Sequence, residues 1–448
     1  MIAVRPKVVF LFVCIFEAMF ILVAQVFGNT LLLLAGIGFY VAFVVFSAIK
    51  GMAVPVLLFF LPFAALIKLQ PGTTSFYTIA LLAIYIVFIV MGSRKINVLH
   101  LVPALCIIAM ALVVKTLYGY SIDKSFILFA ASLLIVPFVS RELDDKYDFY
   151  WLTVFFSLGI IIAAISAQYL VAIPTITRLV GARASFGFVR YSGYYGDPNF
   201  YSAHITAALS GIFFFLLNKR SSKKRIIIVV LFAIALLYCG FLSVSKSFIL
   251  VTICLFFVWM IEFMFQKGRL SAKLMILMSL FIGMCFLLSS TLFTDLIDMM
   301  LMRFSSDRNL SDFTTGRTDI WYQYIKAFID EPLLLLFGKG FTKIFLNERA
   351  THNTVIQAVF QFGLVGCGLL VCWILSYLKE LLNGVKIQQI HIAQVVILLI
   401  GVFGPWMAID LLFFDEFFLM PIYVCVAIRF MGNDENNMNI VKQMELKQ

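Results

Sequence analysis

Long runs of apolar residues alternate with short polar segments along almost the whole chain. A helix of about 17 to 25 apolar residues can cross a hydrocarbon core of about 30 Å. The pattern predicts about fourteen such spans, near residues 8–27, 31–49, 52–69, 76–91, 97–114, 125–139, 150–172, 201–217, 226–242, 247–265, 272–290, 353–378, 393–410 and 413–430. We therefore expect an all-α polytopic membrane protein.

The composition agrees with this interpretation. Of the 448 residues, 63% are hydrophobic and 13% are charged, which leaves too few polar residues for the surface of a soluble domain. The first apolar run exceeds a signal-peptide core and lacks a small-residue cleavage site, so we expect it to remain as a span. All eight cysteines lie within apolar runs, which favours small core residues over disulfides or metal ligands.

Basic clusters orient the predicted helices. Cytoplasmic connections are generally rich in Lys and Arg, and the clusters of this chain fall in alternate connections. They are Arg5 with Lys7, Arg94 with Lys95, 218–225, 266–273 and 379–391. Placing them in the cytoplasm puts both termini inside. The net charge of +11 is then explained by topology, and we expect no nucleic-acid partner.

Two long connections remain on the outer side, and the other outer connections are short turns. The predicted organisation, in chain order, is a first group of membrane helices (1–172), an outer loop (173–200), further helices (201–290), a large outer loop (291–352), the last helices (353–430) and a cytoplasmic tail (431–448). Most of the polar chemistry is therefore expected in the two outer loops.

The first outer loop is unusually basic for a translocated segment. It holds three arginines, Arg178, Arg183 and Arg190, and one acid. Translocated loops tend to be poor in Lys and Arg. Guanidinium groups bind diphosphates through paired hydrogen bonds, so we predict that these arginines bind a phosphorylated substrate. For any single arginine, a charge tolerated on a long loop is the alternative.

The same loop ends in the stretch VRYSGYYGDPNFYSAH (189–204). Asp197 and Pro198 predict a turn, after which Asn199 is expected to cap the next membrane helix. Tyr194 is interpreted either as a sugar-stacking residue or as an aromatic of the membrane interface. Farther along, Lys246 stands in a tight outer turn at the membrane edge, where it either meets a phosphate or extends toward water.

The large outer loop contains the stretch TTGRTDIWYQYIKAFIDEPLLLLFGKGF (314–341). Thr318 is a plausible cap for an amphipathic helix that Pro332 ends. Its apolar face is formed by Trp321, Tyr324, Ile325 and Phe328. Such a helix is expected to lie in the outer interface of the membrane rather than to span it.

His352 and Asn353 stand where the large loop returns to the membrane. A histidine at a wet membrane edge can titrate near neutral pH and act as a general base. Helix capping is the alternative for a polar residue at this position. We expect no metal, because no second ligand with suitable spacing accompanies His352. The chain also lacks the Gly-x-Ser-x-Gly elbow of serine hydrolases.

Four stretches together resemble the O-antigen polymerase and O-antigen ligase superfamily of bacterial envelope glycosyltransferases. They are RYSGYYGDPN, TTGRTDIW, FGKGF and HNTVIQAVFQFGLVG, in this order over residues 185–370. The resemblance implies a GT-C-like helical bundle and a metal-independent glycosyltransferase without a cofactor. Its donor would be an undecaprenyl-diphosphate-linked oligosaccharide at the outer face of the cytoplasmic membrane, and a chain-length regulator protein is a further implied partner.

By position, the resemblance implies that Arg190 and Arg317 hold the donor diphosphate and that His352 lies beside the acceptor. Ser245 and Lys246 stand where the family usually has a Ser-Arg pair, so the charge is kept without the bidentate fork. The remaining predicted substrate-binding residues are Arg178, Arg183, Tyr194, Asp197, Asn199 and Asn353.

Several functions share these motifs. An O-antigen polymerase is favoured, an O-antigen ligase acting on lipid A-core is the nearest alternative, and a capsule-type polymerase would perform the same reaction. A transporter or flippase is an alternative of another class, since transporters place ionisable groups near the membrane midplane. Asp410, Asp415 and Glu416 of the last predicted hairpin are its best support, but they also suit an acceptor entrance.

Overall fold

The computed structural model describes residues 6–90, 98–139, 149–180, 184–185, 188–217, 222–265, 270–289, 294, 298, 301–302, 314–382 and 392–429. Arg183, the predicted cytoplasmic tail and most of 291–313 lie outside the described residues. So do most residues of the basic clusters that orient the chain.

Helices make up nearly all of the described structure. The first eight are α1 (Pro6–Phe27), α2 (Thr30–Ile49), α3 (Ala53–Phe60), α4 (Phe76–Val90), α5 (Val98–Leu117), α6 (Lys124–Val139), α7 (Phe149–Leu170) and α8 (Pro174–Val180). A hairpin of two short strands follows, β1 (Ala184–Ser185) and β2 (Phe188–Val189), paired antiparallel. The later helices are α9 (Pro198–Leu216), α10 (Lys223–Leu242), α11 (Lys246–Phe265), α12 (Leu270–Leu288), α13 (Arg317–Asp330), α14 (Pro332–Phe337), α15 (Thr354–Leu381), α16 (Ile392–Phe403) and α17 (415–429).

Seven of these helices have the length and apolar character needed to cross a membrane, namely α1, α2, α7, α9, α10, α11 and α15. In the described part of the chain, five of the other predicted spans contain apolar helical stretches of only 10–17 residues. Large apolar side chains face outward from several helices, as with Phe12 and Phe257, which are 66% and 62% exposed. In water such faces would favour aggregation, whereas lipid covers them without cost. The chain is therefore an all-helical, membrane-embedded protein.

The third predicted span is shorter than the sequence indicated. Helix α3 ends at Phe60, a short 3-10 turn covers Leu61–Phe63, and the chain then turns irregularly up to α4. The side chain of Gln25 donates to the carbonyl oxygens of Leu66 and Lys68 at 2.6 and 3.0 Å. These hydrogen bonds satisfy carbonyl groups that would otherwise need partners in a helix. The apolar stretch can therefore leave the helical conformation before residue 69.

The prediction that every cysteine is a core residue is wrong. Three cysteines are buried, one is half-buried, and four lie on outer helix faces; the exposed ones are Cys106, Cys254, Cys285 and Cys372. In a membrane protein an apolar run faces lipid as often as protein, so apolar sequence context alone does not place a residue in the core.

Connections predicted on the outer side meet one another in the structure. Lys115 of α5 donates to the carbonyl of Phe341 in the large loop at 2.9 Å. Thr78 at the start of α4 donates to Asp415 of α17 at 2.7 Å. On the opposite side, the guanidinium of Arg225 lies 4.7 Å from the ring of Tyr150, and both belong to helix ends predicted inside. Each of these contacts joins helix ends or connections that were predicted on the same side of the membrane.

The loop helix α13 forms as an amphipathic helix, but its start differs from the prediction. Gly316, in a left-handed conformation with φ 77°, precedes the first turn, and Thr318 lies inside the helix. The inner face buries Tyr324 and Phe328, whereas Ile325 is 49% exposed. The helix ends at Asp330 before Pro332, as predicted.

One close contact explains a glycine in α15. Gly363 has φ 63°, and a Cβ atom there would lie 2.2 Å from the Leu336 carbonyl carbon of α14. Only glycine allows both this backbone angle and this approach. The break lets α14 pack tightly against α15, and this fixes the end of the large loop.

The predicted topology can be tested with a matched pair of exposed lysines, Lys326 of α13 and Lys223 of α10. We expect Lys326→Cys to react with a membrane-impermeant maleimide on intact cells, and Lys223→Cys to react only after permeabilisation. The parent chain, with its eight cysteines, gives the background. Labelling of Lys223→Cys from outside would contradict the assignment.

Candidate active site

The end of the first outer loop is held by the start of α9. Asp197 is the cap of this helix, because its side chain accepts a hydrogen bond from the Asn199 backbone N–H at 2.8 Å. The prediction that Asn199 is the cap is therefore wrong. Its side-chain amide donates to Asp197 at 3.1 Å, and its side-chain oxygen accepts from the Ser245 hydroxyl at 2.9 Å. Asn199 thus joins α9 to the turn before α11.

Arg190 lies against that same turn. Its Nε donates to the carbonyl oxygen of Ser243 at 3.1 Å, and the backbone N–H of Tyr191 donates to Leu242 at 3.2 Å. The turn contains Val244 with φ 45°, an uncommon backbone conformation for a β-branched residue. The loop that carries Arg190 is therefore attached by both side chain and backbone to the end of α10.

Lys246 is the first residue of α11 and directly follows Ser245. Its position at the N-terminus of a helix adds an ammonium group to the partial positive charge of the unpaired backbone N–H groups. This end of α11 therefore favours an anion, in agreement with the predicted phosphate-binding role.

The turn that carries His352 is fixed by a carboxylate from the far end of the chain. Asp410 accepts hydrogen bonds from the Thr351 hydroxyl and from the backbone N–H groups of His352 and Asn353, the last two at 2.9 and 3.2 Å. His352 is half-buried and has φ 47°. Three donors to one carboxylate hold the backbone in this left-handed conformation, so the position of His352 is tightly defined.

Asn353 has a structural role in this turn. Its side-chain oxygen accepts from the backbone N–H groups of Val355 and Ile356 at 3.0 and 3.2 Å, which caps α15. The helix-capping interpretation considered for His352 therefore applies to its neighbour. The backbone N–H of His352 instead donates a hydrogen bond to Asp410.

Arg317 connects the two groups. It is the first residue of α13, and its guanidinium lies within electrostatic reach of both Asp197 and Asp410. Burial lowers the pKa of Arg317, while the two carboxylates oppose that shift. Arginine stays protonated in proteins, so a permanent cation interacts with the charges of both Asp197 and Asp410.

Hydrogen bonds thus connect Arg190 with Asn199 and Asp197 through the turn before α11. Arg317 links this group electrostatically to Asp410, which binds the His352 turn. The structure brings together most of the predicted site, namely Arg190, Asp197, Asn199, Lys246, Arg317, His352 and Asn353. Arg178 lies elsewhere, on an exposed position of α8. Arg183 is outside the described residues. We call the connected residues the arginine–histidine site.

Tyr194 does not fit the predicted role of sugar stacking in this site. Its ring is fully buried, its hydroxyl lies 2.9 Å from Ser166, and burial raises its pKa to about 12. The ring packs against Phe63 with the centroids 6.1 Å apart. Apolar surroundings, rather than the wet membrane edge that the sequence indicated, set the environment of this tyrosine.

From the sequence, Asp410 was named only as a transporter or acceptor-entrance residue, and its role in organising the His352 turn was missed. The signal was present, because acids at the end of an apolar hairpin are costly unless they have partners. Thr351 was also missed, although it links the turn to α13 by accepting a hydrogen bond from Trp321 Nε1 at 2.9 Å. Sequence alone does not reveal that the loop binds a hairpin nearly 60 residues farther along the chain.

In the part of the chain that the structure describes, no three His, Cys, Asp or Glu side chains are grouped as metal ligands. The charges available to the site are those of its arginines, Lys246, Asp197 and Asp410. The guanidinium forks of this set match phosphate oxygens and can therefore bind a diphosphate.

In comparisons with known proteins, the chain matches no protein-family model and no curated protein sequence significantly. The fold itself defines the class of the protein, an all-helical membrane protein.

Proposed function

We propose that this protein is an O-antigen or related surface-polysaccharide polymerase, built as a GT-C-like bundle of about fourteen spans. It transfers a glycan from an undecaprenyl-diphosphate donor to a lipid-linked repeat unit at the outer face of the bacterial cytoplasmic membrane. The observation that carries the proposal is the turn in which Asp410 holds His352, with Arg317 at the start of α13 within electrostatic reach of that carboxylate.

The leaving group of this reaction is a diphosphate on a polyprenyl lipid. As the bond from the anomeric carbon to the diphosphate oxygen breaks, negative charge grows on the leaving oxygens. Arg190 and Arg317 donate hydrogen bonds to these oxygens, and Lys246 adds charge at the start of α11. Preorganised donors stabilise such charge strongly, because they need no reorganisation during the reaction.

The attacking group is a sugar hydroxyl of the acceptor. Its oxygen forms a bond to the anomeric carbon as the diphosphate departs from the opposite side, so the configuration inverts. The imidazole of His352 accepts the hydroxyl proton. Asp410 is a positioning residue in this scheme, because it binds the backbone of the His352 turn and not the substrate.

An O-antigen ligase would use the same site. It differs in its acceptor, lipid A-core, and the arginine–histidine site serves either acceptor equally well. Supplying the purified protein with each acceptor separates the two functions.

A transporter is the alternative from another class. One observation favours it, since Glu17 of α1 is 1% exposed and, within the described residues, its Oε1 has no hydrogen-bond partner. Buried ionisable groups in membrane helices are often functional. If Glu17→Gln abolished function while His352→Ala did not, transport would be the better account.

The proposed function is tested by turnover of lipid-linked repeat units with purified protein in nanodiscs. We expect polymer to form and activity to survive EDTA, because the site supplies its own cations. Parallel reactions with added Mg²⁺ serve as the control. Loss of activity in EDTA that one divalent ion restores would refute leaving-group stabilisation by the arginines and lysine alone.

A further inference from the structure

A cavity of about 330 Å³ is lined in part by residues 412–416, which come shortly after Asp410 in the chain. Its walls come from the connection before α4, the start of α6, the end of α8, the large loop and the start of α17. All of these belong to connections, or to helix ends, predicted on the outer side. The volume lies in the range of pockets for small ligands or sugars.

Three lysines line this cavity: Lys68, Lys124 and Lys343. Lys124 and Lys343 are exposed, whereas Lys68 is half-buried. Burial lowers the pKa of Lys68, and the positive charges of the other two lysines act in the same direction. Among the described residues, none of the three forms an ion pair at close range. An anion in the cavity would relieve this mutual repulsion.

The carboxylates of the cavity have partners in the protein. Asp415 accepts the 2.7 Å hydrogen bond from Thr78, although its charge also acts on Lys68. Glu416 lies 3.1 Å from His204 Nε2. The three ammonium groups therefore exceed the acid charge that remains to face a ligand.

Hydroxyl and aromatic groups complete the lining. The hydroxyl of Thr74 is buried and makes no hydrogen bond within the described part of the chain. Ser125 and Ser132 stand on the α6 wall, and Phe341 and Phe413 on the wall of the large loop and hairpin. Hydroxyl donors together with aromatic rings suit a polar ring with many hydroxyl groups, and the lysines add a preference for negative charge.

We propose that this cavity binds an acidic sugar of the glycan substrate, with the sugar carboxylate among Lys68, Lys124 and Lys343. The assignment to a substrate rests on the proposed function, whereas the binding of an acidic sugar does not. The segment 410–416 contributes Asp410 to one site and Asp415 and Glu416 to the other. One short segment therefore connects the cavity with the turn that carries His352.

The test uses isothermal titration calorimetry with the full chain in zwitterionic nanodiscs. Trigalacturonate is the acidic ligand, and maltotriose is its neutral counterpart. We expect Lys68→Gln and Lys343→Gln each to weaken trigalacturonate binding about tenfold or more. Lys326→Gln, an exposed lysine on α13, is the matched control and should bind as the parent does. Inorganic pyrophosphate is titrated in a separate arm.

Equal affinity for trigalacturonate and maltotriose, or no binding of trigalacturonate, would overturn the inference. So would pyrophosphate binding that depends on the lysines without trigalacturonate binding, because the anion would then be a phosphate. If Arg317→Lys abolishes polymer formation but leaves lysine-dependent trigalacturonate binding intact, the cavity is a separate binding site, as proposed. If polymer forms but the lysine variants bind trigalacturonate as the parent does, this inference is wrong and the proposed function stands. If trigalacturonate binding depends on the lysines but no polymer forms, only the proposed function is wrong.

Discussion

Replacing His352 with alanine is expected to reduce glycan transfer by about 10²–10⁴-fold, the usual effect of losing a general base. The protein should still fold and bind the lipid-linked donor, because the three donors to Asp410 are two backbone N–H groups and the Thr351 hydroxyl. The measurement is single-turnover transfer by purified variants, with donor binding followed in parallel.

Two further variants separate chemistry from backbone effects. Glu348→Ala is the matched control, because Glu348 is exposed and has φ 59°, so alanine meets the same left-handed conformation outside the site. His352→Asn keeps a polar side chain that tolerates this conformation but provides no base. If His352→Asn retained near-parent activity, His352 would have only a structural role.

Replacing Arg317 with lysine is expected to be nearly as damaging as replacing it with alanine. Either change removes the bidentate fork, and loss of one such donor costs about 10²–10³-fold in rate. The fall should appear in the rate of transfer more than in donor affinity, since charge on the leaving group is greatest in the transition state.

The control for this substitution is Arg349→Lys, because Arg349 is exposed elsewhere in the large loop. We expect it to leave transfer unchanged. Arg317 also interacts with the charges of two carboxylates, so its replacement can affect folding. Size-exclusion profiles identify misfolded variants. An Arg317→Lys enzyme of normal rate would indicate that charge alone is needed, which would contradict recognition through paired hydrogen bonds.

Much of the fold could be predicted because lipid imposes simple requirements. Apolar runs located the helices to within a few residues, as with α7, which was expected at 150–172 and is found at Phe149–Leu170. The third span failed because hydrophobicity does not reveal a tertiary hydrogen bond such as that from Gln25 to Leu66. Exposed cysteines were missed because lipid and protein interiors favour the same residues.

The candidate site was predictable in its charged residues but not in its connections. Arg190, Arg317 and His352 stood out, since charges and a histidine are unusual at such positions. Asp197 as the cap and Asp410 as the acceptor for the His352 turn depend on contacts between distant segments. Tyr194 was expected at the wet membrane edge but is buried, because sequence does not reveal whether an aromatic residue of a loop faces water or the core.

The hydrogen bonds to Asp410 also set an order of assembly during synthesis. The carboxylate lies 58 residues after the backbone N–H of His352 that it binds, and a ribosome adds about 5–20 residues per second. The large loop therefore reaches the outer surface seconds before the hairpin that fixes its end. The His352 turn can therefore reach its final conformation only after the last helices have inserted, and under the proposed function an unfinished chain would not consume lipid-linked sugars.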